Sequence, residues 1–478
     1  MLKEGKKNYR NFQADAGRCF ELHTPVLDSR GENGEDAMNQ SPYITYAPNV
    51  TKEMYEAAYW LRKCDGPEYL LMDKKEIDRF NAEILHKKAL VNDIWKMATE
   101  FDGTKRKMKW AEQEPLEDPV YRTGKKLRKE DFAEYQKNIL DMESRERQQM
   151  RYGICVRRAD IKIWPEPDIV SADAADIYYD KFQVTAARVN TPVLIDGETA
   201  DGTFYHVIMY DYEGWGKREH FAVCPNRDTW MKAQQMKDFL VVTVPRLRIE
   251  QCRQNQNGIR TGEELTMGTK VRLLRVGEVE KTELAQCTWG CYVAELPAVK
   301  KDGTYQNVYV TIPENAGVHE GYLPYTTKNV LKTAEQFLGN CYGWGGMFDS
   351  VDCSQLVQEV YSCFGLQLPR DAGSQAEAPG IRVKFSPDMT EEERGSMLDA
   401  LPPGSALFFP GHTMIYLGKE KEEYYVLSSV GSLRLPGEKA VREVRSVIIN
   451  NLSVQRRNGN TWKEELTDAV VYVSPARI

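Results

Sequence analysis

From residue 151 to about residue 325 the chain is a succession of short apolar, β-branched and aromatic runs cut by Gly, Asp and Pro. That texture leaves few folds open. The runs "YGICVRRADIKIWP", "FQVTAARVNTPVLID" and "FYHVIMYDYEGWGKREHFAVC" have the length of strands and turn residues between them, which predicts a small all-β barrel. A second block from about 240 to 325, with "FLVVTVPRLRIEQC", "TKVRLLRV", "CYVAEL", "YQNVYVTI" and "EGYLPYT", predicts another. No close internal repeat joins the two, so any kinship between them is structural only.

The flanks differ. Residues 50–100 read as mostly helical: "NVTKEMYEAAYWLRKC" sets Met54, Ala57, Ala58 and Leu61 on one face, and "KKEIDRFNAEILHKKALVNDIW" repeats the pattern. The charged stretch "DGTKRKMKWAEQEPLEDP" reads as a solvated linker. After residue 326, "TTKNVLKTAEQFLGN" carries Val330, Ala334, Phe337 and Leu338 on one helical stripe. A second helix follows, then "SALFFP", "HTMIYLG", "EYYVLSSV", "SVIINNLSV" and "DAVVYVSP". Helices first and consecutive strands after them predict an α+β domain with an antiparallel sheet. The expected organisation is multidomain α+β: a helical region over 1–140, barrels over 141–238 and 239–326, and the α+β domain over 327–478.

At 478 residues the chain is too long for one core. Its net charge of −7 gives no electrostatic reason to expect nucleic acid. No apolar run approaches the ~20 residues that span a bilayer, so no transmembrane segment is expected. The start, "MLKEGKKNYRNFQADAGRCFELH", lacks the apolar core of a signal peptide. The chain is therefore expected in the cytoplasm as written, or at the cell envelope or outside the cell if a leader has been removed. Ten cysteines are scattered along it, and Cys287-Thr-Trp-Gly-Cys291 has no second pair or His cluster to complete a zinc site. No metal or other cofactor is expected, and a monomer is the favoured state.

One segment carries chemistry. "CYGWGGMFDSVDCSQLVQEVYSCFG", residues 341–365, places Cys353 directly before a helix marked by Leu356, Val357, Val360, Tyr361 and Phe364 and stopped by Gly365. A thiol on a first helical turn feels the positive end of the macrodipole, which favours thiolate. A cysteine nucleophile needs a base, most often His. Of the six histidines, only His412 lies in the same domain after Cys353, opening the strand "HTMIYLG" behind the turn "PGH".

"YGWGG…DCSQLV", "LPRDAGSQ" and "PGSALFF…GHTMIYLG" together resemble the NlpC/P60 family of cysteine peptidases over about residues 327–478. The resemblance implies a papain-like α+β domain that cuts cell-wall peptides, usually between D-glutamate and a diamino acid. It makes Cys353 the nucleophile and His412 the base. Tyr342 and the Cys353 N–H become the oxyanion donors, Asp352 the helix cap, Ser354 and Ser374 substrate contacts, and Trp344 a groove wall. Arg370 and Asp371 read as a local ion pair.

Two departures stand out. Pro403-Gly404-Ser405-Ala406-Leu407 replaces the frequent Pro-Gly-Asp-Leu. The third catalytic residue, commonly a second His, falls at Leu427 or Ser428; Ser428 can accept the imidazole proton, with a backbone carbonyl or a residue from elsewhere as the alternative.

The first β block resembles the bacterial SH3-like barrel found beside such peptidases, and the N-terminal region resembles the clip that precedes it. In that architecture an acidic barrel side chain pairs with the free amino terminus of the substrate. Asp180 is the candidate, with Tyr212 or Trp215 on the opposite wall. The resemblance thus implies a hydrolase for peptidoglycan-derived peptides with a free N-terminal L-Ala. An inert wall-binding protein and an acyltransferase on the same scaffold are the competing classes.

Overall fold

The alternating runs after residue 150 form two separate antiparallel sheets in the computed structural model, which describes residues 44–88, 90–100, 116, 118–140, 150–249, 260–262, 264–282, 284 and 287–474. The first sheet has seven strands in the order Phe221–Val223, Arg151–Cys155, Pro192–Glu198, Phe204–Ile208, Glu213–Lys217, Ala159–Lys162, Gln183–Ala187. Every second residue turns inward, so Ile161, Val193, Ile195, Val207 and Phe221 share one core. The second block builds its sheet around Cys291–Val299, which pairs with Tyr305–Pro313 along its whole length. Its core is Leu240, Val242, Leu265, Val271, Leu296 and Val310.

The last third is α+β, as the order of its runs predicts. Six antiparallel strands lie in the order Ile381–Lys384, Asp468–Val471, Ala406–Phe409, His412–Glu420, Glu423–Leu433, Arg442–Asn451. The helices Thr327–Glu335 and Cys353–Ser362 cover one face and share a core with Phe408, Ile415, Leu427 and Ile449. The other face packs Leu407, Met414, Val426 and Trp462.

The N-terminal region divides between two hosts. Met54, Trp60, Met72, Phe80 and Ile84 join the core of the C-terminal domain, not a core of their own. Asn81 fastens the segment by donating to Gly365 O at 2.9 Å and accepting from Gln367 N–H at 2.9 Å. Further on, Phe132 and Tyr135 of the helix Lys129–Leu140 pack on Trp164, Phe182 and Trp215 of the first sheet. The stripe expected over Met54, Ala57, Ala58 and Leu61 is corrected here. A 3-10 turn, Lys52–Tyr55, breaks the run before the helix Ala57–Leu61, so Trp60 turns inward while Ala58 faces solvent.

Candidate active site

The helix Cys353–Ser362 begins at Asp352, whose carboxylate accepts the Gln355 N–H at 2.9 Å as an N-cap. Leu356, Val357 and Val360 face the sheet. The polar face is buried as well, because the first barrel lies against it: Ser354, Gln355, Gln358 and Glu359 are all nearly inaccessible. Each finds a partner. Arg370 grips Asp352 with both arms, at 3.0 and 2.5 Å, and donates to Ser354 Oγ at 2.8 Å and to Thr185 Oγ1 of the barrel at 2.9 Å. Gln358 donates to Asp211 at 2.8 Å, and Arg158 stands 3.7 Å from Glu359.

Cys353 is 8% exposed. Burial, and then the Asp352 carboxylate, push its thiol up to about 12, against the pull of the Thr413 N–H. The helix dipole alone favours thiolate; here the capping carboxylate sits at the same helix end and opposes it. His412 is the residue before Thr413, and its imidazole lies within electrostatic reach of Asp352, the residue before Cys353. The ring lies between Phe409 and Trp462, with centroids at 5.1 and 5.0 Å. Burial, and then the Arg456 charge, hold it neutral with a pKa near 3. Its Nε2 faces Ser428 Oγ at 3.4 Å, and Ser428 is fully buried on the neighbouring strand. Tyr342 is buried within electrostatic reach of Cys353; burial, then the Cys353 and Asp352 charges, raise its phenol well above the ordinary value.

The loop between Tyr342 and Cys353 explains its own glycines. Gly345 and Gly346 have φ of +55° and +87°, and a Cβ on either would meet Gln183 at 2.7 Å or Ala186 at 2.6 Å. The barrel strand is simply too close. Gln183 donates to Gly345 O at 3.0 Å, Arg158 to Gly346 O and Ser350 O at 3.1 and 2.8 Å. Asp352 accepts the Gly345 N–H at 3.0 Å, which ties the loop to the helix cap. Phe348 and Asp349 follow with φ of +59° and +51°. Left-handed backbone costs a residue with a Cβ roughly 1–2 kcal/mol, so this turn persists only where its surroundings hold it.

Asp352 thus lies within electrostatic reach of Cys353, Tyr342 and His412, and His412 faces Ser428. Trp344 is half-buried and donates from Nε1 to Asp180 O at 3.0 Å, pinning the loop to the barrel. Ser354 lies inside the Arg370–Asp352 network rather than on open surface. Ser374 is half-exposed on the short helix Ala372–Ala376. Three expectations are corrected. Asp180 is 1% exposed, paired with Lys162 Nζ at 2.8 Å, and accepts from the Phe182 and Val170 N–H groups, so it has no face for a ligand. Trp215 is buried on the opposite face of its strand from Gly214 and Gly216, which face Ile161 and Phe221 of the barrel core, and it is covered by Phe132 and Tyr135 of the helix Lys129–Leu140; Tyr212 packs half-buried on the first sheet. Arg370 makes its direct ion pair with the helix cap Asp352, and Asp371 only adds its field to that charge. Sequence reasoning missed Arg158, in the turn before the strand Ala159–Lys162, and Gln183, at the start of the strand Gln183–Ala187, since nothing local in either signals a contact 188 or 162 positions away.

Residues 339–471 match the NlpC/P60 family model, and residues 170–216 match the SH3 domain (SH3b1 type). The chain is 28% identical over 124 residues to a gamma-D-glutamyl-L-lysine dipeptidyl-peptidase of Bacillus subtilis (strain 168). It is 33% identical over 105 residues to a dipeptidyl-peptidase 6 of Lysinibacillus sphaericus. These matches cover 25% and 22% of this chain, and only 37% and 33% of the length of those relatives. The solved structure of an NlpC/P60 endopeptidase from Photobacterium damselae subsp. piscicida shares the fold, with a TM-score of 0.66 over 90% of this chain and 98% of that one at 16% identity. The domain that carries Cys353 is thus an NlpC/P60 domain, and the barrel that leans on it is an SH3 domain of the SH3b1 type.

Proposed function

We propose that this chain is a cysteine peptidase that hydrolyses peptidoglycan stem peptides at the γ-D-glutamyl–diamino acid bond. The observation that carries the reading is the corner where the Cys353 thiol meets the Thr413 amide, beside a neutral imidazole whose far nitrogen is directed at Ser428. The name of the Bacillus subtilis relative supports the bond type, and that of the Lysinibacillus sphaericus relative supports a dipeptidyl-peptidase.

The resting pair is neutral. As sulfur attacks the γ-carbonyl carbon, its proton passes to His412, and the carbonyl oxygen becomes an oxyanion. The Cys353 N–H has no partner inside its own helix and is free to donate to that oxygen. Tyr342 stays protonated at every working pH and supplies a second donor. Collapse breaks the C–N bond, the leaving amine takes the proton from His412, and a thioester remains. Water then attacks the thioester, gives a proton to His412, and the thiol is regenerated. Ser428 accepts the Nε2 proton and fixes the tautomer that keeps Nδ1 basic. A hydroxyl carries no charge to stabilise the imidazolium, which makes it a weak orienter.

With Asp180 engaged by Lys162, the ammonium of a free L-alanine terminus goes to Asp371, which reaches the surface within the field of Asp352 and Asp211. Loss of water raises its carboxyl to about 6, against the pull of Arg370, and a bound cation draws it back to the charged form. Two like carboxylates within each other's field suit a cation.

The test is incubation with L-Ala-γ-D-Glu-diaminopimelate, free or N-acetylated, with products identified by mass. The free peptide is cut to L-Ala-D-Glu and the diamino acid, the acetylated one far more slowly, and Cys353→Ala loses at least a thousandfold in rate. Parental cleavage by Cys353→Ala removes the mechanism.

A further inference from the structure

The loop that joins the oxyanion donor to the nucleophile is gripped from both barrels. Gln183 and Arg158 belong to the first; the third donor, Arg246, comes from the strand Arg246–Arg248 of the second and reaches Phe348 O at 2.6 Å. Phe348 is the residue where the backbone enters its left-handed turn. The loop is also stiff between tip and base. Tyr342 pairs with Val351 in a parallel bridge, Gly343 N–H donates to Val351 O at 3.0 Å, and Ser429 Oγ donates to the same carbonyl at 2.8 Å. A shift of the tip is therefore carried to the Tyr342 hydroxyl on one side and to Asp352 and Cys353 on the other.

We propose that Arg246 is a positioning residue for the reaction, through which the second barrel sets the alignment of the catalytic loop. The inference rests on the reading of Cys353 as nucleophile. Arg158 cannot be tested cleanly, because it also faces the buried Glu359. Arg246 can: its side chain is 41% exposed, and its ion-pair partner Glu264 stands 3.9 Å off. Its carbonyl contact is a charge-assisted hydrogen bond to a residue that has no intrinsic preference for the conformation it holds. The barrel supplies no reacting group, yet it governs how long the reacting groups stay aligned.

The experiment compares the full chain with Arg246→Ala, Arg246→Lys and, as a control two residues along the same strand, Arg248→Ala. Turnover of the stem peptide is read alongside amide hydrogen exchange over residues 343–350 and the thermal midpoint. Expected for Arg246→Ala are an unchanged midpoint, faster exchange in the loop, and a roughly tenfold lower kcat with KM within twofold. Arg246→Lys recovers most of the kcat, and Arg248→Ala matches the parent in all three. Parental exchange in the loop of Arg246→Ala, or parental kcat, overturns the proposal. If the parent cuts no stem peptide while Arg246→Ala still exchanges faster, the peptidase reading falls and the hold on the loop stands.

Discussion

A cysteine at a helix tip is usually thought of as half-way to thiolate, and Cys353 departs from that. Burial and the Asp352 carboxylate keep the proton on sulfur, while burial and Arg456 keep His412 unprotonated. The sign is the same for both groups: across neutral pH neither is charged. Alkylation of Cys353 by iodoacetamide, mapped by mass, is therefore expected to accelerate about tenfold per pH unit from 6 to 10 without levelling. A thiolate–imidazolium pair gives a plateau that begins in acid, and such a plateau refutes the neutral pair. A helix start and a count of histidines single out Cys353 and His412 as candidates, and the family resemblance adds Leu427 or Ser428, a backbone carbonyl or a residue from elsewhere as the third; of these, Ser428 Oγ is the one that stands at 3.4 Å from the imidazole. The charge state is not legible in the sequence, because a capping Asp352 is at once a counter-charge to the helix dipole and its effect depends on the burial around it.

At the scale of elements, the Cys353 helix is buried on every side, and its polar face is satisfied by groups from elsewhere. Arg370 and Asp352 are the centre of that arrangement, both buried, with burial opposing the charge of each and their mutual attraction prevailing. Arg370→Met leaves a carboxylate stranded at the helix start. It is expected to lower the unfolding free energy by about 3–5 kcal/mol, measured by urea denaturation, and Asp352→Asn in the same chain should restore part of the loss. A midpoint equal to the parent's shows the pair to be dispensable. Periodicity marks this helix by its apolar stripe and is silent on the burial of Ser354, Gln355, Gln358 and Glu359. The information that buries them lies in the first barrel, and no window of the helix contains it. Asp180 failed for the mirror reason, since Lys162 reaches it across the barrel.

Across the whole molecule, the first described segment and the last domain share one core. Trp60 is 1% exposed, donates from Nε1 to Met54 O at 2.8 Å, and lies 5.3 Å from the Tyr425 ring. Trp60→Ala should cost the C-terminal domain about 3–5 kcal/mol, read from Tyr425-side amide exchange and from the urea midpoint. If exchange in the strands Glu423–Leu433 and Arg442–Asn451 is unaltered, the segment is an ornament and not part of that core. The division of the N-terminal region between two hosts is what composition could least foretell, because an amphipathic face does not name the surface it meets.

This sharing also fixes an order of events during synthesis. The residues around Trp60 and Phe80 leave the ribosome well before Tyr425 and Tyr472, the rings they pack against. At 5–20 residues per second that interval is on the order of half a minute. Both barrels have time to fold in the meantime, and the corner around Cys353 closes only when the final strands arrive, so a truncated or stalled chain is born with that cysteine uncovered.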